Sequence, residues 1–145
     1  MTATAHSLVG ACIAVKIGNP ALAILIAFAS NFLLDIVPHW DVGTHWHNRP
    51  LLKTFIYAGI DVFLGLGLSL LLFAHSVNLS YLLFLIFIAT LADWLEAPYI
   101  FLKLKIPPFY QFYKIQSRFH KKDGSWFGVF TQFAVVLPLL LWAKL

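Results

Sequence analysis

An all-α integral membrane bundle is the fold this sequence predicts, with about five membrane segments and one interfacial helix in a single domain, residues 1–145. Three observations carry that expectation. The chain is 61% hydrophobic and only 11% charged, with a mean hydropathy of +0.84, far more apolar than a soluble domain of this length needs. Several apolar runs approach or reach the roughly 20 residues that cross a bilayer. Gly, Pro, Asn and Ser clusters punctuate the runs at intervals that suit helices.

The first helix is expected over residues 3–17, about 22 Å at 1.5 Å per residue, short enough to be re-entrant. Gly18-Asn19-Pro20 breaks it, and Pro20 suits the first turn of a second helix that runs to Val37, before Pro38. A polar loop rich in His and Trp follows, in which His45-Trp46-His47 reads as an interfacial belt. A third helix is expected over residues 51–75, a turn at Ser76-Val77-Asn78, and a fourth helix over 79–104 with Pro98 as a kink. Pro107-Pro108 stops it. Residues 109–122 mix aromatics with Lys and Arg and read as the interfacial helix. After the turn at Asp123-Gly124-Ser125, the last membrane helix covers 126–144.

The lone Cys12 lies in an apolar run, so neither a disulfide framework nor a Cys-based zinc site is expected. The first residues lack the basic start of a signal peptide, so the first helix is expected to be retained. The net charge of +4 follows a topology pattern and does not point to nucleic acid. Arg49 and Lys53 flank one loop, and Lys103, Lys105, Lys114, Arg118, Lys121 and Lys122 crowd another on the same side; Lys16 and Lys144 fall opposite. The positive-inside rule then predicts a cytoplasmic N-terminus and an external C-terminus, in a prokaryotic inner or plasma membrane.

Asp35, Asp61 and Asp93 interrupt apolar helices, and a carboxylate at such depth must face the protein interior and find a partner. Each sits on an i, i+4 ladder of small or polar side chains: Ala23-Ala27-Asn31-Asp35-His39, Tyr57-Asp61-Gly65-Ser69 and Ala89-Asp93-Ala97. Small residues let membrane helices approach closely, so each aspartate lies on a face suited to packing. His6, His39, His120, Glu96 and Gln132 fall at the same end of the bundle, whereas His75 falls at the other. Metal ligation explains three buried carboxylates beside histidines, because one or two divalent ions, zinc above all, offset the charge. The plainer reading is interhelical hydrogen bonding to Asn31, Tyr57, Thr90 or Gln132.

At these residues a family resemblance enters. His6, Leu8 and Gly10, followed by Ser30-Asn31-Phe32-Leu33-Leu34-Asp35-Ile36-Val37-Pro38-His39-Trp40-Asp41, resemble the small membrane-bound metal-dependent hydrolases related to zinc-dependent phospholipase C. The resemblance covers roughly the first 45 residues. It implies a helical membrane fold with His6, Asp35 and His39 as metal ligands. The chain departs from that pattern in carrying Asn31 where the family often has His, and it lacks the Arg-Gly-x-Thr-His-Ser motif, with Thr44-His45 the nearest echo.

The expected function is metal-dependent hydrolysis of a lipid phosphoester at the cytoplasmic leaflet. His6, Asp35, His39, Asp61 and Asp93 are the expected ligands, His120 a ligand or general acid, and Glu96 or Asp41 a base. Arg49, Arg118, Lys121, Lys122 and Gln132 are the expected substrate contacts. Membrane lipid is the expected partner, and a homodimer is allowed. Two other classes compete: a small proton- or cation-linked transporter, and a non-catalytic scaffold whose aspartates join helices.

Overall fold

A computed structural model describes residues 1–44 and 49–145. Among them are six helices: α1 (Ala3–Lys16), α2 (Pro20–Ile36), α3 (Leu51–Phe73), α4 (Leu79–Leu102), α5 (Phe109–Phe119) and α6 (Trp126–Lys144). The all-helical bundle is as expected. Three of the described helices, α3, α4 and α6, are long and apolar enough to cross a membrane. The chain is therefore read as a membrane protein.

The shortness of α1 has a packing explanation. Every residue from Ala5 to Ala14 is buried, and α1 touches α2, α3, α4 and α6. It is the axial helix of the bundle and has no polar face to turn outward. Its small residues set the spacing. A Cβ added at Gly10 would lie 2.8 Å from the Ala89 Cβ and 2.9 Å from the Leu85 carbonyl oxygen of α4. One added at Gly65 of α3 would lie 2.7 Å from the Thr4 Cα. The outer helices turn large side chains outward: Leu71 is 79% exposed and Phe63 74%.

Local signals fix the ends. Asn19 accepts from the Leu22 N–H with Pro20 in the first turn of α2, and Asn78 caps α4 by accepting from Tyr81. Ser125 accepts from the Phe127 N–H at the start of α6. Lys103, in the left-handed region at φ 56°, closes α4.

Five expected boundaries shift. α1 ends at Lys16 and α2 at Ile36, one residue early in each case. α3 ends at Phe73 and α4 at Leu102, two residues early in each case. α5 ends at Phe119, and its continuation pairs with the chain after α2 instead of coiling. His39 is not on α2, which ends at Ile36. Pro38 offers no N–H and disfavours helix at Val37, so the chain leaves the helix extended. The His45-Trp46-His47 belt, and His45 of the Thr44-His45 echo, lie outside the described residues.

Candidate functional site

The site forms where α1 and α6 begin and α2 ends. Two extended segments meet there. The His39 N–H donates to the Lys121 carbonyl at 3.0 Å, Lys121 donates to the Asp35 carbonyl at 3.0 Å, and Asp123 donates to the His39 carbonyl at 2.7 Å. This short ladder sets His39 and His120 side by side, with ring centroids 5.8 Å apart.

Asp35 lies at the centre, fully buried. His6 Nε2 is 3.3 Å and His39 Nε2 3.7 Å from its Oδ1. His120 Nε2 is in close contact with Oδ2, and the Met1 amino group with Oδ1. His39 Nδ1 lies 2.7 Å from the Val37 carbonyl, so it carries a proton, and Nε2 faces Asp35 Oδ1 and Asp41 Oδ2, each at 3.7 Å. Both ring nitrogens of His6 and Nε2 of His39 are buried and make no hydrogen bond of ordinary geometry. Such groups ordinarily have one.

Asp93 joins from α4. Its Oδ1 accepts from Gln116 Nε2 at 3.0 Å and its Oδ2 from Asn31 Nδ2 at 3.2 Å. Asn31 also donates to the Ala89 carbonyl and accepts from Gln116. Ligand atoms of His6, Asp35 and Asp93 all lie within 4.8 Å of one another, a group able to hold a metal ion.

Asp61 stands apart. Its carboxylate accepts from the Ala3 and Thr4 N–H groups at 2.7 and 3.1 Å and from the Thr4 hydroxyl at 2.7 Å. It caps α1 from a neighbouring helix, where a negative charge meets unpaired N–H groups and the positive end of the dipole. Gln132 is likewise a strut, donating to the Trp40 carbonyl at 2.7 Å and accepting from the Thr2 N–H and hydroxyl. Arg49 donates to the Val42 carbonyl and lies over Tyr57.

Asp41, Glu96, His120 and Lys122 line a cavity of about 760 Å³ that also reaches Asp93 and Asp61. Lys122 Nζ pairs with Asp41 Oδ2 at 3.2 Å. Burial alone would raise the Asp41 carboxyl, but His39 and Lys122 hold it below the usual carboxylate range. Burial, reinforced by the Lys122 charge, lowers His120. Arg118 and Lys121 are exposed and are not among the cavity-lining residues.

Gln116 went unnoticed in the sequence. It is the one fully buried side chain of α5. The available signal was its spacing, four residues before His120 on a strongly amphipathic helix.

Fold and site together define a helical membrane protein with a buried His/Asp centre. No family model, curated protein or solved structure matches this chain.

Proposed function

We propose that the chain is a membrane-embedded, metal-dependent hydrolase cleaving a phosphoester of a lipid or similar amphiphile. The observation that supports this most is the aim of three imidazole Nε2 atoms, from His6, His39 and His120, at one buried carboxylate. Neutral imidazole nitrogens turned toward one buried carboxylate suit a cation lying among them. The Met1 amine answers Asp35 but leaves both His6 nitrogens and His39 Nε2 without a hydrogen bond. Spacing also suits zinc: ligand atoms each about 2.1 Å from a tetrahedral ion lie about 3.4 Å apart, close to the 3.3 Å between His6 Nε2 and Asp35 Oδ1. The Val37 carbonyl holds the His39 tautomer, as an outer partner of a ligating histidine does.

His6, Asp35, His39 and His120 would hold the ion, with Asp93 as the further carboxylate. Bound there, the ion would supply an acidified water and polarise the phosphoryl oxygen. Asp41 or Glu96 takes the water proton as the water oxygen bonds to phosphorus and the ester P–O bond breaks. That proton ends on the departing alkoxide. Lys122 meets the phosphate charge from the cavity wall. Asp61 is withdrawn as a ligand, because both of its oxygens cap α1. The basic residues flanking this end support a cytoplasmic leaflet for it, with the C-terminus outside, in the prokaryotic inner or plasma membrane proposed for the chain.

The test is hydrolysis of a phosphoester lipid by the purified chain. Activity lost on chelation, restored by zinc and absent from Asp35→Asn supports the reading. Activity indifferent to chelation overturns it. A non-catalytic scaffold has support of its own, since Asp61, Asp93 and Gln132 are all engaged in joining elements. That reading predicts no bound metal.

A further inference from the structure

The cavity beside the metal centre has two chemically different ends. Its polar end holds Asp93, Glu96, His120 and Lys122. The rest runs along the seam between α3 and α4, walled by Phe55, Ala58, Gly59, Trp94, Ala97 and Phe101. The two helices pack mainly on α1 and meet each other only sparsely. Phe55 and Phe101 bridge the seam edge to face, with centroids 5.6 Å apart. Along the seam the wall is open at Gly59, where an added Cβ meets no atom within 4 Å. Trp94, 49% exposed, stands on the wall. At about 760 Å³ the cavity falls in the roughly 300–1,000 Å³ range of small-molecule sites.

We infer that this seam is a lateral slot for the hydrocarbon tail of a phosphate-headed amphiphile, which enters from the bilayer between α3 and α4 and brings its head to His120 and Lys122. The choice of head rests on the proposed metal-dependent reading. Without an ion, the carboxylates of Asp93 and Glu96 would favour an amine head instead. The tail slot stands on the shape and apolar lining of the seam and does not need the metal. Continuity of an apolar wall with a polar end commits the occupant to one molecule that has both.

The test titrates the full chain in detergent with increasing amounts of a monoacylglycerol phosphate carrying bromine on its chain. Bromine quenches nearby tryptophan, and the difference between wild type and Trp94→Phe isolates Trp94. Quenching should be saturable, and Gly59→Leu and Ala97→Phe, which fill the slot from opposite walls, should each weaken it on the order of tenfold, the equivalent of about two buried methylenes. Circular dichroism shows whether each variant keeps its helices, and the pair guards against misfolding of one. Non-saturable quenching, or quenching unchanged in both folded variants, overturns the slot. The head is tested separately with the brominated alcohol and amine of the same chain length. With zinc present, the phosphate should bind best, and Lys122→Ala should weaken it alone. An amine preference overturns the phosphate head, and with it the metal reading, while leaving the tail slot judged on its own variants.

Discussion

His39 and His120 meet edge to face, with ring centroids 5.8 Å apart, because the segments carrying them pair backbone to backbone. His39 lies beyond the end of α2, and His120 is the C-cap of α5, its N–H donating to the Gln116 carbonyl at 2.9 Å. The histidine pair therefore depends on that short ladder, on the α5 end and on the Pro38 that forces the first segment out of α2.

Replacing Pro38 by Ala tests this directly. The N–H regained and the restriction lifted from Val37 allow α2 to extend. Such an extension would swing His39 away from Lys121. Helical content should rise slightly while zinc affinity falls on the order of 10- to 100-fold, as for lost outer support of a ligand. Unchanged zinc affinity by competition with a chromophoric chelator would show that the segment's shape does not depend on the proline.

Asp61 and Asp35 should separate by phenotype. Asp61→Asn leaves the α1 start without its charged cap and should lower stability by about 1–2 kcal/mol, with metal content intact once folded. Denaturant titration in mild detergent and metal analysis of the same sample check both halves.

The approach of α1 to α4 predicts opposite outcomes at two glycines. Gly10→Ala drives a Cβ into Ala89 and the Leu85 carbonyl and should cost about 1–3 kcal/mol. Gly67→Ala meets nothing within 4 Å and should be neutral or stabilise by up to about 1 kcal/mol. Thermal unfolding of the two variants side by side gives the comparison.

Much of this was legible because the local chemistry was strong. Asn19-Pro20, Asn78 and Ser125 marked helix starts that the structure keeps, and the ladders through Asn31, Gly65 and Ala89 do lie at helix contacts. Gathering of His6, Asp35, His39, Asp93 and His120 at one end followed from alternating helix direction. The uses of the carboxylates were not legible. Asp61 and Asp93 sit on similar ladders, yet one meets the open N-terminus of α1 and the other two side-chain amides. That difference depends on which neighbour presents its end, a tertiary fact with no local signature. The His39 error came from extending an i, i+4 ladder past a proline.

Gln116→Leu probes the amide that holds Asp93. Losing it frees one carboxylate oxygen and leaves Asn31 Oδ1 without its donor, at a cost of about 1–3 kcal/mol. Gln116→Glu should be worse, since it sets a second carboxylate against Asp93. Urea unfolding monitored by circular dichroism should rank wild type above Leu above Glu; a Glu variant as stable as wild type would remove Gln116 from the centre.

The most direct measurement is metal stoichiometry on the purified chain by element-specific X-ray fluorescence, after divalent ions have been supplied and excess removed. At least one zinc per chain is expected in wild type and in Asp61→Asn, and a substoichiometric trace in Asp35→Asn and His6→Ala. Wild type without stoichiometric metal, or Asp35→Asn retaining it in full, would contradict the centre proposed here and leave Asp35 as a buried joint between helices.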